Sequence, residues 1–163
     1  MTGQGYVDLL AQRMLTDGCD VSSDVIGPFD VLVGRRKDFV PHVMSRIHLV
    51  TAAAVVPRVD AVQVTGFTQD VARFARQRTG AMLGMQSGLG AFSVLVSHDV
   101  SPAAIAEASR QARLEFAVRV QPVVVDLGRG VLHTFTGTHR WGWALNGHLR
   151  RKRELYLPPL DRA

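Results

Sequence analysis

The chain has 163 residues, of which 47% are hydrophobic and 20% charged; this excludes wholesale disorder and is long enough to enclose a real core. A net charge of +5 and an isoelectric point near 10.3 point towards anionic partners such as nucleic acid or a lipid surface. The lone Cys19 excludes an internal disulfide and suits a reducing compartment.

Tyr6, Val7, Leu10 and Met14 recur at helical spacing, so residues 4–16 are expected to form a helix closed by Gly18. The opening ten residues contain Asp8 and no basic residue, unlike a secretory leader, and a cytoplasmic location is expected. After Gly27-Pro28, residues 29–33 read as a short apolar strand running into Gly34-Arg35-Arg36-Lys37-Asp38, a polar turn or solvated extension. Residues 46–56 are rich in branched side chains and read as a strand buried on both faces. The apolar run there, residues 47–56, is broken by His48 and Thr51 and stopped at Pro57, well short of a membrane span.

Residues 62–65 read as a third strand or as the approach to the next helix. That helix carries Phe67, Val71, Phe74 and Ala75 on one stripe, with Thr65 or Thr68 as its cap, and ends near Thr79-Gly80. Residues 80–90 are too glycine-rich for a stable helix and are expected to form a loop leading into a strand over 91–96. Ser101 caps and Pro102 opens a helix whose inner face carries Ile105, Ala108, Ala112 and Phe116. Residues 122–127 and 131–135 form a hairpin across Gly128-Arg129-Gly130. A last helix is expected over 141–157, stopped by Pro158-Pro159.

No repeat or linker divides the chain, so one domain over 1–163 is expected, with a basic, proline-terminated segment at 148–163. The predicted order is αββ(β)αβαββα, and the economical solution is an α/β (or α+β) fold with a single mixed sheet of about five to six strands and packed helices. That order is also compatible with a nuclease core, but such cores need a carboxylate two residues before a lysine. The two lysines, Lys37 and Lys152, each have arginine at that position. Asp30 in the first predicted strand would need Asp60 or Asp126 as a distant partner for a magnesium ion.

The glycine-rich stretch leads into a strand rather than a helix and lacks the Gly-x-x-x-x-Gly-Lys pattern of a phosphate cradle. The six histidines show no helical metal-ligand spacing, and one cysteine excludes a thiolate-rich zinc site. Sets such as Ser87, His98 and Asp126, or Cys19 with a histidine and an aspartate, are not selected by any spacing. No catalytic, cofactor-binding or metal-binding residue is therefore assigned.

Two surfaces stand out. His148, Arg150, Arg151, Lys152 and Arg153 form a dense basic cluster suited to anion or nucleic-acid contact. The thioethers Met82 and Met85 and the indoles Trp141 and Trp143 offer interface or lid material. The leading expectation is a non-catalytic binding domain acting through protein partners or self-association as a homodimer. The alternatives are a nucleic-acid-binding protein with a nuclease-like core lacking standard catalytic residues, and a small-molecule enzyme with a pocket under the Gly/Met loop.

Overall fold

The computed structural model describes residues 1–41, 44–79, 87–110, 114–115, 118–137 and 143–160. Helix α1 (Gly3–Thr16) opens where the Thr2 side chain accepts from the Gly5 N–H. It closes on Gly18 at φ +83°, with the Cys19 and Gly18 amides returning to the carbonyls of Met14 and Leu15. Strand β1 (Asp20–Ile26) follows and turns through Gly27, at φ +59°, into β2 (Phe29–Val40). β3 (Ser45–Val55) pairs antiparallel with β2, in unbroken register from Leu32↔Ala53 to Val40↔Ser45. Of the two readings of 34–38, a polar turn or a solvated extension of the strand, the second holds: the segment lies within a twelve-residue strand. Its hydrogen-bonding partner across the sheet, rather than its own polarity, decides its conformation.

Helix α2 (Ala61–Thr79) absorbs residues 62–65, which are helical and not a strand. The start signal is a reciprocal capping box. Gln63 N–H donates to Asp60 Oδ1 at 2.8 Å, and Asp60 N–H donates to Gln63 Oε1 at 3.1 Å. Strand β4 (Ser87–Ser97) begins earlier than expected, so Gly88 and Gly90 belong to the sheet. Gly90 is there for space: a Cβ would stand 2.8 Å from Leu149 Cδ2.

Helix α3 (Pro102–Ala108) has the expected Ser101 cap and Pro102 opening but stops well before Phe116. The chain is drawn instead into the two-residue strand β5 (Leu114–Glu115), which pairs with β6 (Val118–Asp126). β7 (Val131–Thr134) forms the expected hairpin with β6, and α4 (Trp143–Tyr156) is the last helix.

The protein has an α/β fold with one mixed sheet ordered β1-β2-β3-β4-β6-β5, and β7 also pairs β6. Among the described residues this makes seven strands. Sequence patterning missed β1, a half-exposed edge rich in Asp and Ser, as well as the short β5. β3, β4 and β6 are parallel, joined by the α2 and α3 crossovers. Both crossover helices cover one face of the sheet, where Phe67, Val71 and Ala104 meet Val33, Val50 and Leu95. α1 and α4 cover the other, where Tyr6, Leu10 and Tyr156 meet Phe92, Val94 and Val123. No described helix is long and apolar enough to cross a membrane.

Candidate functional site

Strand alternation gives β2 two chemically different faces beyond its apolar centre. Arg36 and Asp38 point to the α1/α4 side, and Arg35, Lys37 and Phe39 to the α2 side. On the first side the end of α1 and the later turns of α4 close over a polar cluster. Asp17 accepts from Lys152 Nζ at 2.5 Å and from the Tyr156 hydroxyl at 2.6 Å, while Cys19 Sγ donates to Tyr156 at 3.2 Å. Arg36 Nε donates to Asp38 Oδ1 at 2.6 Å and stands 3.5 Å from Asp17. His148 Nε2 lies 3.0 Å from Asp38 Oδ2, off the axis for a good hydrogen bond.

The electrostatics of this cluster are those of a compensated network. Burial pushes the Asp17 carboxyl up, but hydrogen bonds and charge from Lys152, with Tyr156 and Arg36, outweigh it and hold the group below the usual carboxylate range. Burial likewise raises the Cys19 thiol, which keeps it protonated and poorly nucleophilic. Burial lowers His148, and Lys152 and Arg151 add to this against the pull of Asp38. A cleft of about 380 Å³ opens above the cluster, between Phe39, Val40 and Pro41 on one wall and His148, Arg151 and Lys152 on the other.

The basic segment of α4 is consequently not one face. His148 is buried, and Lys152 is held by Asp17 and Asp38. Arg153 is half-buried and donates to the Phe135 carbonyl, while Arg150 and Arg151 are exposed. Met82, Met85 and Trp141 lie outside the described residues, and Trp143 begins α4. The carboxylates considered for a metal are apart in role. Asp60 is occupied in the capping box, and fully buried Asp126 accepts from Arg129 Nη1 at 2.7 Å. Asp30 sits exposed at the turn end of β2, opposite Val25. Of the triad candidates, His98 is exposed.

Sequence reasoning missed the opposite side of β2. Beyond the end of α2, Arg35, Lys37, Arg46, His48 and Arg78 share a cleft or its rim, with Lys37 opposite His48 and Phe39 opposite Arg46 in register. The cross-strand pairing that assembles them is not readable from a stretch whose sequence fits a polar turn as well as a solvated strand extension.

Compared with protein-family models, with curated proteins and with solved structures, the chain matches none.

Proposed function

We propose that the chain is a non-catalytic interaction domain that self-associates through the outer edge of β1. The observation that carries this reading is the edge itself. β1 pairs with β2 along all seven residues and has no other strand partner among the described residues. A two-residue hairpin turn makes Ile26↔Phe29 a hydrogen-bonded pair, so alternation aims the backbone groups of Val21, Ser23 and Val25 outward. The Val25 amide is turned away from β2 and is taken up by Asp24 Oδ1 at 2.8 Å, which leaves Val21 and Ser23 open among the described residues.

Natural edges are commonly blunted by lysine, proline or a bulge. This one has none of the three, and its exposed Val25 is 62% accessible. A second copy is the occupant that fits best, because an antiparallel two-fold at Ser23 sets Val21 against the partner's Val25 and continues the sheet. The internally compensated ion cluster and the inert thiol support binding over catalysis.

Light scattering after size exclusion, with Ser23→Pro and Ser23→Cys variants, tests the reading. Proline at 23 removes an outward amide and leaves the β2 ladder intact. The wild type is expected at dimer mass and S23P at monomer mass. S23C is expected to give a reducible cross-link, since facing hydrogen-bonded residues stand about 5.5 Å apart at Cα. A wild type that stays monomeric at high concentration, with no S23C cross-link, would overturn it.

A further inference from the structure

The α2-side face of the β2–β3 ribbon gathers more positive charge than the described carboxylates beside it neutralise. Strand alternation places Arg35, Lys37 and Phe39 of β2 and Arg46, His48 and Val50 of β3 on this face. Farther along the same face Val31, Val33, Val50 and Ala52 are packed in the core with α2, whereas Lys37, Phe39 and Arg46 at the other end are exposed, and Arg78 lies in the last turn of the helix. Arg35 is held by Asp20 at 2.8 Å and Arg78 by Asp24 at 3.0 Å, both pairs partly exposed. Lys37 and Arg46 are exposed and have no acidic partner among the described residues. Four cations therefore face two carboxylates.

The cleft formed by Arg35, Lys37, His48, Val50, Arg78 and Thr79 has a volume of about 290 Å³. His48 reports the local field: burial lowers its pKa first, and Lys37 and Arg46 lower it further. At neutral pH it is uncharged and available to donate or accept a hydrogen bond. Phe39, 56% exposed, stands across from Arg46 at the outer end of the same face. From Arg35 to Phe39 the face runs for about 13 Å at strand rise.

We propose that this face binds single-stranded nucleic acid, with Lys37, Arg46, Arg35 and Arg78 meeting successive phosphates and Phe39 stacking on a base. A charged groove that follows the backbone, beside an exposed aromatic ring, is the arrangement that recognises single strands without sequence preference. A bare phosphate-binding site would have no use for Phe39. Duplex DNA would leave that ring without an unstacked base. The proposal stands apart from self-association, since β1 reaches the ribbon only as far as Arg35.

The test titrates the full chain into a fluorescein-labelled single-stranded oligonucleotide at several salt concentrations, reading anisotropy. Three to four phosphate contacts predict a slope of log affinity on log salt of about −2 to −3, at roughly −0.7 per contact on single strands. Lys37→Glu with Arg46→Glu is expected to weaken binding more than tenfold. Phe39→Ala is expected to weaken it by about five- to a hundredfold, the range for one stacked base. Arg150→Ala, at an exposed position of α4 that does not line the cleft with Phe39, is expected to leave it unchanged.

These are surface positions, and unchanged circular dichroism and thermal midpoint would confirm intact variants. No binding at low salt would overturn the proposal, as would full affinity in the K37E/R46E variant. So would equal or tighter binding of duplex with F39A silent. Displacement by inorganic phosphate as effective as by unlabelled oligonucleotide would reduce the site to one for free phosphate and overturn it too.

Discussion

Asp17 shows how much one side chain organises on the α1/α4 side. It follows the last turn of α1, and its carboxylate takes up both the Lys152 ammonium and the Tyr156 hydroxyl, tying the first helix to the last. Lys152 is one of two lysines in the chain, and its side chain is 12% exposed, so it acts as a structural cation. Acid lability follows from this cluster. His148, held below its ordinary 6.5 in the fold, resists a proton that the unfolded chain accepts, so its contribution is complete above pH 6.5 and is lost as pH falls below that. Asp17 and Asp126 are held below 3.8, so their stabilisation is present above that pH and disappears only in stronger acid. Urea midpoints are therefore expected to be level at pH 7–8, to fall as pH drops below 6.5, and to fall again below 3.8. His148→Gln is expected to shrink the first step; part remains, because His48 is also held low. A midpoint independent of pH between 7 and 5 would refute this account.

Between elements, the helices on that face come close because the sheet offers them glycine. Gly34 of β2 lies under the Met14 side chain, and Gly90 of β4 lies under Leu149. Gly90→Val is expected to push α4 away from the sheet and destabilise the protein by about 1–3 kcal/mol, the usual cost of overpacking, as measured by urea denaturation. Both contacts depend on residues far apart in the chain, which is why Gly90 reads as part of a loop in one dimension and as a packing site in three. The α2 start shows the opposite case. The Asp60-x-x-Gln63 box was present in the sequence, and the run after it reads either as a strand or as the approach to the helix because Val and Thr match strand propensity. For α3, the Ser101-Pro102 opening was legible because a cap is local chemistry. Its early end was not, because β5 is made by pairing with β6.

For the molecule as a whole, the last helix is a structural component of the fold. Leu149, Tyr156 and Leu157 are 3%, 1% and 6% exposed and complete the core over β4 and β6. A chain ending at residue 137 would expose that face and leave Asp17 without two of its partners, and is expected to lose cooperative thermal unfolding in calorimetry. Retention of a sharp transition would show that α4 is dispensable. Composition, the apolar periods of α1 and α2, the caps at Gly18 and Ser101 and the hairpin at Gly128 were enough to define an α/β chain with one mixed sheet. These are short-range signals, set by backbone sterics and by side chains within a turn of each other. The edge position of β1, the length of β2 and the two faces of its charged stretch were decided only by tertiary pairing. Strand pairing is non-local, and a strand's period of two gives alternate residues opposite surroundings once neighbours are in place. Arg36 and Asp38 were thereby placed, partly buried, on the α1/α4 side, while Arg35 and the exposed Lys37, one residue away, were turned to the other side.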